Sequence, residues 1–377
     1  MGIIKNTEYY NRTVTRIAMK SRELLTEDIT LIKEAYNNNS RDVIYDFALK
    51  NKVLPFTAKL LYDLSIDKIF WEDIYSSFEK RSETILAVLV DVFDDFKAKG
   101  VNKIFLYENF GALLASETSI GCFASGDVDL YADISLKEDI TDVLIDAGFL
   151  PKETNASTDT VKIEYFNEKL LEKGFGINVM WKPLSRLKLP FQINIDNSIQ
   201  WDDLNNYKNT NIQIPNKNAL MYLCLLHTSV HGYHRAPDIR LYTDTDRVSL
   251  LQPNWDIIFD YAQLDRAEVR VLTSAILSNK LLNMPFSNNK IVESYKKKHK
   301  NINILVKRVF DSKNKFLKSE PRGMSVLLIE ILSSDSGWIK SSFEILFPSK
   351  RWIREYYLQN KGYLLNGYIM HFKNLFF

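Results

Sequence analysis

A chain of 377 residues exceeds what one hydrophobic core usually supports, so its length predicts two or three packed units. Hydrophobic residues at 46% and charged residues at 25% exclude a disordered or fibrous chain. Forty-nine Lys and Arg against 47 Asp and Glu leave a formal net charge of +2, which removes any bulk electrostatic case for a nucleic-acid or membrane partner.

In chain order, "MGIIKNTEYYNRTVTRIAMK" lacks the apolar core of a signal peptide, and no later run approaches the roughly 20 apolar residues of a membrane span. Its Met-Gly is a poor myristoylation signal, because Asn6 stands where Ser or Thr is needed. The cysteines, Cys122 and Cys224, are too few and too far apart for a disulfide framework, so the expected setting is the reducing cytoplasm. From about Ser21 to Gly100 the pattern is helical and is interrupted by Pro55. In "SETILAVLVDVFDDFKAKG", Ile85, Val88, Leu89, Val92 and Phe96 recur at helical spacing, and Gly100 sits where a left-handed cap belongs. Residues 1–100 thus read as an N-terminal helical region.

The character changes at "VNKIFLY" (101–107), a short apolar run predicted to be a buried strand. A short helix, "ENFGALLAS", follows, then a loop and a second strand at "VDLYADI". The next segment, "SLKEDITDVLIDAGF", pairs Ser135 with Glu138 as a predicted capping box and closes at Gly148. Further strands are predicted at 161–166, 177–181 and 191–195. Residues 101–200 therefore read as a small mixed sheet with a few helices. Beyond Pro215 helical patterning returns, through "NKNALMYLCLLHTSVHG", "NWDIIFDYAQL" and "RAEVRVLTSAILSNKLL", so 201–377 reads as a C-terminal helical domain.

Within "FASGDVDLYADI", residues i and i+2 of a strand share a face, so Asp127 and Asp129 present two carboxylates side by side. Such a pair repels itself unless a cation sits between. Two carboxylates on a rigid element, with the other positions left to water and substrate phosphates, suit Mg²⁺ or Mn²⁺. The Ser125-Gly126 turn just ahead offers a backbone N–H to a phosphate. The chemistry this suggests is metal-assisted phosphoryl or nucleotidyl transfer. A bare Asp-x-Asp is more often an idle, solvated strand end, and the order of the surrounding elements is what shifts the balance.

That order, together with "ALKNKVLPFTAKLL", "GDVDLYADI" with "LIDAGF", "LCLLHTSVHGY", "LYTDTDRVSLL" with "NWDIIFDYA", and "FPSKRWIREYY", resembles the family of uncharacterised nucleotidyltransferases of the NTP_transf_5 type over nearly the whole chain. The resemblance implies an α+β fold: a small mixed-sheet nucleotidyltransferase core flanked by N-terminal and C-terminal helical regions. It implies an NTP as co-substrate and a small-molecule or peptide acceptor. It also sets departures in relief. Tyr107 stands at the family's lysine, Phe123 at or near its arginine, Asn178 at its third acidic residue and Met180 at its histidine. Asn carries no charge and is no general base at neutral pH, so turnover is the property these changes weaken most.

His227 and His231, four apart in "HTSVHGYH", would share a helical face. Without a third ligand nearby they read as pocket-facing groups beside the nucleotide, as the family's His-x-x-x-His-Gly implies, rather than as a zinc site. Of the charged residues in "RAPDIRLYTDTDR", Arg240 is the first choice for a bidentate phosphate contact, against a surface network with Asp244, Asp246 and Arg247. The basic run "YKKKHK" reads as a solvated loop, and the aromatic C-terminal segment as core packed on the body of the protein. Two readings follow. One is a Mg²⁺-dependent nucleotidyltransferase using Asp127, Asp129 and Asn178 with the Ser125-Gly126 turn; the other is a pseudoenzyme whose more apolar cleft binds a peptide, protein or ligand.

Overall fold

The computed structural model describes residues 13–21, 23–152, 162–181, 195, 201–230, 233, 240–286, 293–294, 301–315, 328–329, 331–335, 338–358 and 362–376. Four helices come first: α1 (Thr26–Asn38), α2 (Arg41–Lys50), α3 (Leu54–Asp63) and α4 (Lys68–Ala98). Pro55 opens α3 instead of breaking it, because a proline in the first turn forfeits an N–H that has no helical acceptor. Helix α4 runs 31 residues, roughly 46 Å, and buries Trp71, Tyr75, Ser82, Ile85, Leu89, Val92 and Phe96 along one stripe. Gly100, at φ +81°, stops it, and the Val101 N–H reaches back to the Phe96 carbonyl at 2.8 Å.

The sheet follows with β1 (Ile104–Leu106), helix α5 (Glu108–Ala115), β2 (Asp127–Ala132), helix α6 (Lys137–Asp146), β3 (Leu150–Pro151), β4 (Lys162–Asn167) and β5 (Phe175–Met180). Its spatial order is β1-β2-β5-β4-β3, with β2 and β5 parallel and the other neighbours antiparallel. This is the α+β arrangement expected, a small mixed sheet between helical regions. The predicted capping box is not what starts α6. Asp133 Oδ1 accepts from the Ser135 N–H at 2.9 Å and its hydroxyl at 2.8 Å. An Asp two residues upstream closes a shorter ring than Ser135 could close onto Glu138, so a 3₁₀ turn at Ile134–Leu136 precedes the helix. Gly148, at φ +84°, ends α6 as its position predicts. The strand expected at 191–195 lies outside the described residues except for the buried Ile195.

A two-stranded ribbon that the sequence reading did not anticipate, β6 (Leu204–Asn206) with β7 (Gln213–Pro215), leads into helix α7 (Lys217–Val230). Then come α8 (Leu241–Ser249), α9 (Trp255–Leu264), α10 (Glu268–Leu282), α11 (Asn301–Lys315), α12 (Trp338–Leu346), α13 (Lys350–Tyr356) and α14 (Leu364–Phe376). Among the described residues, buried side chains from Val14 to Ile329 join in one apolar cluster. That cluster does not include the buried Ile345 and Ile353, and α12 and α14 leave Ile339, Phe343, Leu365 and Ile369 exposed. The C-terminal segment expected against the body of the protein therefore turns much of its apolar surface outward. No helix among the described residues is long and apolar enough to cross a membrane.

Backbone meets backbone closely at the β1–α5 junction. A Cβ on Gly111 would stand 3.0 Å from the Leu106 carbonyl oxygen and 3.1 Å from its carbon. Gly111→Ala is expected to lower stability by about 1–3 kcal/mol, read as a smaller urea midpoint, because helix and strand must separate to admit one methyl group.

Candidate active site

Strand alternation puts Val128 and Leu130 in the core and leaves Asp127 and Asp129 together on the opposite face of β2. Parallel pairing with β5 sets Asp129 directly opposite Asn178 and Asp127 opposite Gly176. Asn178 Nδ2 donates to Asp127 Oδ2 at 2.8 Å and to Asp129 Oδ1 at 3.0 Å. One amide group thus spans the gap between the two carboxylates. The Ser125 hydroxyl holds the remaining Asp127 oxygen, Oδ1, at 2.6 Å. Gly126, exposed, has no heavy atom within 4 Å of where a Cβ would stand, so space is open beside the turn.

The electrostatics are those of crowded acids. Burial, then the neighbouring charges of Glu108 and Asp127, push the Asp129 carboxyl up to about 7, while the Asn178 amide and His227 oppose the rise. Glu108 opens α5 in a left-handed conformation, φ +59°, and is buried. This backbone turn is costly for a residue with a side chain, and it aims the Glu108 carboxylate at His227 on α7, whose Nδ1 meets Glu108 Oε1. Burial disfavours the His227 imidazolium, but the charge and hydrogen bond of Glu108, with Asp129 and Asp244 behind it, outweigh that and hold its pKa above the ordinary value. Asp244, in the first turn of α8, is pushed up to about 6 by burial against the pull of Arg240, Arg247 and His227.

The predicted site residues separate into groups. Asp127, Asp129, Asn178, Ser125 and Gly126 lie together. His227 joins them through Glu108, and Arg240, buried, sits one step away beside Asp244. His231 and the run 295–300 lie outside the described residues. Tyr107, at the position expected for a lysine, is buried and donates to Met180 Sδ at 2.8 Å, so these two replacements close on each other. Phe123 is buried against Phe110, ring centroids 4.8 Å apart. The Cys122 thiol, close in sequence, is pushed up to about 11 by burial and is inert at neutral pH.

Two residues escaped sequence reasoning. Arg81 on α4 donates from Nη2 to the Ser125 carbonyl at 2.6 Å, and its charge interacts with Asp127. The available signal was its place three residues after Phe78 and four before Ile85, a charge inside an apolar helical stripe. Glu108 carried no such signal, since only the fold brings it to a histidine 119 positions on.

A divalent cation is the group this arrangement implies. Among the described residues no cluster of three or more His, Cys, Asp or Glu side chains is placed to hold one. Two carboxylates side by side nevertheless match a cation that takes its other ligands from water and phosphates, and a half-turn of the Asn178 amide would aim Oδ1 at the same point. The donor set fits, with Asn178 as a neutral third member.

The profile of a family described as uncharacterised nucleotidyltransferase matches residues 39–283. The match covers α2 to α10 with the sheet between them, and "FPSKRWIREYY" lies outside it. No curated protein and no solved structure matches the chain.

Proposed function

The chain belongs to the family of uncharacterised nucleotidyltransferases, and from that premise we propose that it transfers a nucleoside monophosphate from an NTP to a small-molecule or peptide acceptor, assisted by Mg²⁺ or Mn²⁺. The observation that carries this reading is the pairing of Asp127 and Asp129 on one face of β2, with a single amide between them and open space at Gly126. Asp127 and Asp129 would hold the cation, which would supply Lewis-acid stabilisation of the charge on the triphosphate. The acceptor oxygen attacks the α-phosphorus, the bond to the pyrophosphate oxygen breaks, and pyrophosphate leaves with that electron pair. The acceptor's proton passes to water, because a cation on Asp129 would hold that carboxyl in its charged form and Asn178 is no base at neutral pH. In this reading the Ser125-Gly126 turn would contact the phosphates, and His227 and Arg240 would be further nucleotide-facing groups. Two buried, free cysteines suit a cytoplasmic setting.

A second reading, a pseudoenzyme that binds a peptide, protein or ligand, is favoured by the same amide. Asn178 satisfies both carboxylates without a cation, and the Tyr107–Met180 contact makes that wall apolar. Each NTP with Mg²⁺ or Mn²⁺ and candidate acceptors, assayed for pyrophosphate by mass spectrometry, separates the two. Product supports transfer; neither product nor a thermal shift with any NTP and metal leaves only the second reading. Asn178→Asp is expected to tighten Mn²⁺ binding by at least about tenfold, since cation affinity follows ligand charge count. The same variant should melt earlier without metal, because another carboxylate then joins Asp127, Asp129 and Glu108.

A further inference from the structure

We infer that Arg81 is the triphosphate-binding cation of this site, supplied from a helix outside the turn-and-strand motif; the inference rests on the nucleotide reading above. The guanidinium is anchored at one point, Nη2 to the Ser125 carbonyl at 2.6 Å, and its Cζ lies 5.7 Å from the centre of the Phe123 ring. Among the described residues these contacts leave the other N–H donors of the fork uncommitted. It is half-buried, so part of it faces solvent. Ser125 is the residue whose hydroxyl holds Asp127, so cation and carboxylate grip the two ends of one residue. Gly126, exposed and with open space beside it, is the residue between Ser125 and Asp127 in the chain.

An anion entering that space alone would meet the carboxylate of Asp127. A phosphate chain carrying a divalent cation would meet opposite charge at both ends: carboxylates for the cation, guanidinium for the phosphate oxygens. Partial desolvation by helix α4 and the Phe123 ring strengthens such a contact relative to one made in open water. Tyr107 and Phe123 are buried and uncharged, and Arg240 is committed beside Asp244, which leaves Arg81 to provide the charge next to the turn. The ligand chemistry it recognises is a polyphosphate, independent of base or sugar.

The probe is therefore inorganic tripolyphosphate with Mg²⁺, titrated calorimetrically into the full chain, its Arg81→Gln and Arg81→Lys variants, and Arg81→Ala with added guanidinium. Arg81→Gln is expected to weaken binding roughly 10- to 100-fold, the value of one or two charge-assisted hydrogen bonds. Arg81→Lys should keep part of the affinity, and millimolar guanidinium should restore part of it to Arg81→Ala. A role limited to holding the turn would lower the melting temperature but give neither lysine retention nor rescue. If the unaltered chain binds magnesium tripolyphosphate and Arg81→Gln binds it equally well, this assignment is wrong and the nucleotide reading stands. If the unaltered chain binds neither tripolyphosphate nor any NTP, both fall.

Discussion

His227→Ala is expected to destabilise the protein by about 3–5 kcal/mol, the cost of leaving one member of a buried ion pair alone. Glu108 is 2% exposed and held at a positive φ, so it cannot swing out to find water. With His227 gone, its carboxylate would face Asp129 with no cation between them. Glu108→Gln in the same chain should return much of the loss, because it removes the stranded charge, and a double-mutant cycle in urea measures the coupling. Direction with pH follows from the raised His227 pKa. The stabilisation is fully present below the ordinary imidazole value of 6.5 and is lost as pH rises through the higher folded value. The urea midpoint should therefore fall toward alkaline pH, and the His227→Ala chain should show less of that fall. An unchanged midpoint in His227→Ala at pH 6 would mean that the pair contributes nothing.

Asp129→Asn should act in opposite senses on stability and activity. A carboxyl raised from 3.8 to about 7 holds its proton in the folded chain while the unfolded chain has released it. Stability is thereby lost as pH climbs from about 4 to 7 and stays lost above. A neutral amide at this position removes the penalty, so Asp129→Asn should be more stable at pH 8 by on the order of 2 kcal/mol, after discount for the partial exposure of the group. Nucleotidyl transfer should drop on the order of 10³-fold, since a charged cation ligand disappears. A variant that is less stable at pH 8, or one that keeps its rate, contradicts the electrostatic description of this strand. Bound Mg²⁺ should narrow the stability difference, because the charged form of Asp129 is the one a cation stabilises.

What the sequence made legible was whatever is local. Alternation in "DVDLYA" placed two carboxylates on one face, and Gly100 and Gly148 ended their helices where a left-handed residue is required. The polar contact that defines the site, Asn178 across both aspartates, was nearly readable, since a strand partner is set by register once the sheet order is known. Register was the missing link. The start of α6 was misread because Ser135 with Glu138 and Asp133 with Ser135 are both good local patterns, and the shorter ring prevails. Arg81 and Glu108 were invisible for a deeper reason. Each acts across tens of residues, and locally each has an ordinary explanation, a charge on a helix and an acid in a first turn.

The buried carboxylate of Asp246 accepts both the N–H and the hydroxyl of Ser21, at 2.8 and 2.6 Å, across 225 positions of chain. That distance is also a delay. At a synthesis rate of about 5–20 residues per second, the segment that ends at Ser21, with Val14, Ile17 and Met19 buried in the finished protein, waits roughly 10–45 s for Asp246 to be made. During that interval Ser21 lacks the carboxylate that holds it in the completed fold. Newly made chains should therefore depend on holding chaperones more than their final stability would suggest, and slowing translation between Ser21 and Asp246 should lower the soluble yield without altering the protein that does fold.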